Sequence, residues 1–153
     1  MAQLLDAERM QRRLIDTFYM EAMVLADEAR HYFDEGGRAE RESLAPIERV
    51  TFSCESLKVT TRLMHVIAWL LTQRAVIAGE LTPGQAIDPA RRLGAAPTTE
   101  PGEVEALPER ARAMIAASSE LHRRVARLDR AQLAEQPSAS PARSMLDRLA
   151  TAF

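Results

Sequence analysis

The chain has 153 residues, 46% of them hydrophobic, 27% charged and only 5% aromatic, and its formal net charge is −2. That length makes one domain of ordinary size, able to bury a core without disulfides or metals, and the weak charge removes the general electrostatic case for nucleic acid or an anionic membrane. The longest unbroken apolar run, Val66 to Leu71, falls far short of the roughly 20 residues that span a bilayer, while the lone Cys54 and the lack of an apolar leader after Met1 predict a reducing, cytoplasmic setting.

Alanine, leucine, arginine and glutamate dominate, which is helical composition. Glycines and prolines then cut the chain into segments. The spacing predicts a first helix from about Leu4 to Glu35, stopped by Gly36-Gly37, with Leu4, Ile15, Phe18, Ala22, Leu25, Ala29 and Tyr32 on one stripe. Arg38 to Ala45 reads as a charged connector. A second helix opens at Pro46, where the missing N–H costs nothing, and closes at Gly79 or at Pro83-Gly84. Leu81 to Gly102 contains Pro83, Pro89, Pro97 and Pro101 and no periodic apolar pattern, so it reads as a long irregular excursion. A third helix starts near Pro108, carries Leu107, Met114, Ser118, Leu121, Val125 and Leu128 as its stripe, and fades after Arg130. No segment alternates as a strand does. The expected fold is all-α: a three-helix bundle over residues 1–133 with a long loop between helices two and three, and a flexible tail over 134–153.

The second helix has two apolar faces. At 100° per residue, Val50, Cys54, Leu57, Thr61, Met64, Ala68, Leu71, Ala75 and Ala78 form one stripe, and Phe52, Val59, Leu63, Val66, Leu70 and Ile77 form another opposite to it. The first is expected to face the core. The second is expected to be a homodimer seam, so that a charge at Leu63 would break the dimer and a charge at Leu57 the fold. Between them runs a polar strip of Glu55, Lys58, Arg62 and Gln73 with Trp69 in its midst, a candidate surface for protein partners. In the tail, Met145, Leu146, Leu149 and Phe153 return at helical spacing after a Pro/Ser-rich stretch, which predicts a tethered peptide available for docking.

Catalytic chemistry finds little footing. Glu28-x-x-His31 is half of the pattern by which bundles build di-iron sites, and the other half is missing: Arg62 precedes His65 by three residues and Ser119 precedes His122. Cys54 lies among apolar neighbours as a small core hydrophobe. No glycine-rich loop, nucleophile elbow or zincin helix occurs. Arg112, Arg123, Arg127 and Arg130 share the outer face of the third helix, yet Glu109 and Glu120 interleave with them, which favours a solvated face over a DNA-reading one. No cofactor, metal ion, nucleic acid or membrane insertion is expected.

The stretch from Glu55 to Met64 (ESLKVTTRLM), followed by Ala68-Trp69-Leu70-Leu71-Thr72-Gln73-Arg74-Ala75-Val76 and Gly79-Glu80, resembles the signature of the RcdA family, bacterial regulators of CtrA degradation of the DUF1465 type. Weaker similarity extends over Glu21 to Tyr32 and over Leu121 to Asp129, while Pro46 to Ser53 reads differently. The resemblance implies a dimerising three-helix bundle. It also implies an adaptor in regulated ClpXP proteolysis of cell-cycle regulators, placed at the cell pole, with a C-terminal tail that matters for the role. The reading favoured is a non-enzymatic, cytoplasmic adaptor. The alternatives are a DNA-associated regulator using the third-helix arginines, and a small-molecule sensor with a pocket between helices.

Overall fold

The computed structural model describes residues 1–135 and 141–152, and every regular element among them is helical. The elements are α1 (Ala2–His31), α2 (Arg38–Glu42), α3 (Pro46–Ile77), α4 (Pro83–Ala86), α5 (Glu109–Glu135) and α6 (Pro141–Ala152), with short 3-10 turns at Pro89–Arg91 and Pro101–Glu103. Helices α1, α3 and α5 pack on one another as a three-helix bundle around one shared core.

Helix α1 is buried only from Ile15 onward. Ile15, Phe18, Ala22 and Ala29 turn inward, as their spacing predicts, but Leu4 is 69% exposed because its neighbours one to two turns on, Glu8, Gln11 and Arg12, are polar. At its C-terminal end the backbone widens into a π-type turn over Tyr32–Gly36, closed by the Gly37 N–H donating to the Tyr32 carbonyl at 2.7 Å. A Cβ on Gly37 would sit 2.9 Å from the Tyr32 ring, so only glycine lets the chain turn here. The turn directs Tyr32 against Phe33 and Phe52, with ring centroids 5.1 and 6.0 Å away. Burial pushes the Tyr32 phenol up, and its 2.5 Å hydrogen bond to the Glu40 carboxylate adds to that shift while tying α2 to the bundle.

Pro46 occupies the first turn of α3, and the Ala45 N–H donates to the Glu48 carboxylate at 3.0 Å. The helix ends in a Schellman motif: Gly79 adopts φ +78°, its N–H donates to the Val76 carbonyl, and the Glu80 N–H reaches the Ala75 carbonyl. A reciprocal pair of hydrogen bonds between Thr82 and Gln85 then caps α4. Helix α5 buries Met114, Ser118, Leu121 and Val125 on its expected stripe and runs on to Glu135, past the predicted end at Arg130.

The two stripes of α3 exchange the roles predicted for them. Phe52, Val59, Leu63, Val66 and Leu70 are each at most 3% exposed within the single chain, and Ile77 packs partly buried against them. They are the core, and have no surface left for a second copy. Val50, Leu57, Met64 and Leu71 are 57, 68, 64 and 48% exposed, and Cys54 is exposed as well, not a core hydrophobe. The reason lies in the polar strip. Glu55, Arg62, Trp69 and Gln73 are buried beside the Phe52 stripe, and together they form one arc of about 120° that faces α1, α5 and the loop. Periodicity separates two faces of a helix; it does not say which is inside.

Candidate interaction site

The residues expected to receive partners on α3 form a line along the helix, but it is the protein's own loop that lies on them. Arg62 is 1% exposed, and each of its guanidinium nitrogens has a partner: Nε donates to the Pro97 carbonyl at 3.1 Å, Nη1 to Ser118 Oγ at 3.2 Å and Nη2 to Thr99 Oγ1 at 2.6 Å. The Thr99 hydroxyl in turn donates to Glu55 Oε2 at 2.6 Å, and Lys58 Nζ donates to Glu55 Oε1 at 2.8 Å and to the Thr98 carbonyl at 3.1 Å. Burial pulls the Arg62 guanidinium below its ordinary range and the nearby Glu55 charge pulls it back. One buried carboxylate thus faces two cations, and all three lock the extended stretch Pro97 to Thr99 over α3.

A second clasp lies further along. Asp129 on α5 accepts from Trp69 Nε1 at 3.0 Å and from Arg92 Nε and Nη2 at 2.9 and 2.7 Å, the fork-to-carboxylate geometry that only arginine offers. Burial pushes the Asp129 carboxyl up, but the hydrogen bonds from Arg92 and Trp69, with the Arg92 charge, outweigh it and leave the group below the usual carboxylate value. Between the clasps His122 Nε2 meets the Gly94 carbonyl at 3.0 Å, and Gly94 lies so close to His65 that a Cβ would come within 2.7 Å of Nδ1. Gln73, at the end of the line, accepts from Gln132 Nε2 at 2.6 Å.

Glu55, Lys58, Arg62 and Trp69 are therefore a strap seat, and Gln73 is turned to α5, so none of the five forms an open partner surface. Reading the sequence missed the other half of the seat. Arg92, Gly94, Pro97 and Thr99 are placed by a loop without periodicity, Asp129 and the stripe residue Ser118 by α5, and the one legible sign of the pairing was a run of charges beside a tryptophan on an otherwise apolar helix.

What the fold does leave open is the opposite face of α3. Ile47, Val50, Cys54, Leu57, Thr61, Met64, Ala68, Leu71, Ala75 and Ala78 follow one another at alternating steps of three and four, the a/d spacing of a coiled-coil seam. Exposed Met10, Leu14, Met20 and Val24 add apolar surface on α1. Helix α6 exposes Met145, Leu146 and Leu149 at 67, 64 and 51%, whereas Phe153 lies outside the described residues. Glu28 and His31 are exposed on α1, and among the described residues no three His, Cys, Asp or Glu side chains gather as metal ligands would. Arg112, Arg123, Arg127 and Arg130 are exposed on α5, where Arg123 pairs with Glu120. Among the described residues no helix is long and apolar enough to cross a membrane.

The family model described as "Protein of unknown function (DUF1465)" matches residues 6–153 of the chain. Among solved structures, the crystal structure of RcdA from Caulobacter crescentus CB15 is similar at a TM-score of 0.66 and 36% identity, covering 82% of this chain and 96% of that one. No curated protein matches the chain.

Proposed function

The chain belongs to the DUF1465 family, together with RcdA of Caulobacter crescentus, and we propose that it is a non-enzymatic helical adaptor serving regulated proteolysis of cell-cycle regulators in the cytoplasm. The likeness to RcdA supports the regulatory part of this reading. The observation that carries the binding part is the exposed row on α3. Val50, Leu57, Met64 and Leu71 stand in water on a helix whose other side is fully packed, and they repeat at a spacing that a second copy of the same helix can interleave.

The assembly proposed is a homodimer through this row, and not through Phe52, Val59, Leu63, Val66, Leu70 and Ile77. A C2 contact of two α3 helices would pair each row with itself, and Thr61, Ala68 and Ala75 would allow close approach near its centre and C-terminal end. The tail then serves protein partners. Met145, Leu146 and Leu149 present an amphipathic face on α6, joined to the bundle by the short stretch after Glu135, which keeps it at high local concentration.

The test is reconstitution. Purified chain should accelerate client degradation by the protease, and Leu146→Asp with Leu149→Asp should abolish the acceleration while leaving the melting temperature of the bundle unchanged. Acceleration that survives both changes would remove the tail from the reading, and an absence of any effect of the wild-type chain on degradation would remove the adaptor.

A further inference from the structure

At the end of the bundle where α1 begins and α3 and α5 finish, the core stops before the helices do. A cavity of about 380 Å3 opens there, within the size range of small-ligand sites. Its floor is aliphatic: Ile15, Val76, Ile77 and Ile87, the last held in place by the capped turn of α4. Its rim carries both signs of charge, with Arg12 one turn from Glu8 on α1 and Glu135 opposite on α5. Set into the wall is Gln73, only 5% exposed. Its Oε1 accepts from Gln132, but its Nε2 has no partner. Turning both amides over exchanges the donor for an acceptor and still leaves one polar atom of Gln73 unpaired. An unpaired buried amide destabilises a fold, and it is retained most readily where something else completes it.

The geometry points to a binding site for an aliphatic α-amino acid, its side chain on the isoleucine floor, its carboxylate taken by Gln73 and Arg12, and its ammonium by Glu135. Each part of the ligand answers a feature of the cavity. An uncharged hydrocarbon would leave Gln73 unpaired, and a simple anion would face two rim carboxylates against one arginine.

Isothermal titration of the full chain with L-leucine and L-isoleucine tests this, with N-acetyl-L-leucine amide as the arm that keeps the aliphatic body and a carbonyl but removes both charges. Neither dimerisation nor proteolysis enters the readout, so its failure and the failure of the adaptor reading are distinguishable. The free amino acids should bind with a submillimolar Kd, and the blocked compound about tenfold more weakly or worse. Gln73→Met should weaken leucine binding by about tenfold while leaving the melting temperature close to that of wild type, because the unpaired donor is lost together with the hydrogen bond from Gln132. Should that variant fold poorly, Ile87→Trp, which fills the cavity from α4, should abolish binding in a folded protein. No heat up to about 10 mM leucine, or equal affinity for the blocked compound, or full affinity in Gln73→Met or in Ile87→Trp, would each overturn the proposal.

Discussion

The two faces of α3 are built from similar apolar residues and meet opposite fates. One face, centred on Val59 and Val66, is sealed by α1, α5 and the strap; the other, centred on Leu57 and Met64, has no cover among the described residues. Hydrophobicity alone does not separate them. What separates them is the company each keeps, since the sealed face is bordered by Glu55, Arg62 and Trp69, whose polar atoms find fixed partners in the loop and in α5. A buried ion cluster needs every member in place, so this border specifies one register of the strap, whereas the open row needs only an apolar surface to meet.

The largest effects should come from the sealed face. Leu63→Glu places an unpaired charge at a 3% exposed position and should cost more than about 4 kcal/mol, enough to leave the chain unfolded by circular dichroism. Arg62→Ala leaves the Pro97 carbonyl and the Ser118 and Thr99 hydroxyls without their donor and removes one of the two cations near Glu55, and should cost about 3–5 kcal/mol, seen as a lowered urea midpoint. If Arg62→Ala melts like wild type, the strap is not held as described.

Gly94→Ala should come next. Its methyl group would lie 2.7 Å from the His65 ring, so the strap must lift, with a cost of about 1–3 kcal/mol and faster amide exchange confined to residues 92–99. The pH dependence sharpens the same clasp. Asp129 has its folded pKa depressed, so its contribution is present above the unfolded value and is lost as pH falls through the folded one. Wild type should therefore lose stability relative to Asp129→Asn as pH drops below about 4, and the two unfolding free energies should converge there. Parallel curves across that window would contradict the depressed value.

The three-helix architecture was legible because it rests on features local in sequence. Pro46, Gly79 and the Pro-rich stretch mark ends that backbone chemistry dictates, and the stripes of the first and third helices are single and unambiguous from Ile15 and from Leu107 onward. The inside of α3 was not legible for a reason equally physical. Two stripes of comparable strength leave the choice to long-range partners, and those partners, Arg92, Pro97 and Thr99, sit in a segment whose conformation is fixed by side-chain hydrogen bonds across 35 or more positions, not by its own periodicity. The partner strip reads as open but is buried, since a charge on a helix is ordinarily solvated and here the loop's carbonyls and the Thr99 hydroxyl, with Ser118 and Asp129 of α5, make burial tolerable.

The smallest effect on folding, and the most informative one, should come from the open face. Leu57→Glu and Met64→Glu, together, alter two positions that are 68 and 64% exposed in the single chain, so helix content should stay at the wild-type level and the bundle should remain folded. Light scattering coupled to size exclusion, run beside circular dichroism on wild type and this double variant, tests the central claim directly. The account predicts a wild-type dimer at micromolar concentration and a folded monomer for the variant. A wild-type monomer, or a double variant that remains dimeric, would contradict the dimer seam, and a double variant that unfolds would contradict the assignment of the two faces of α3.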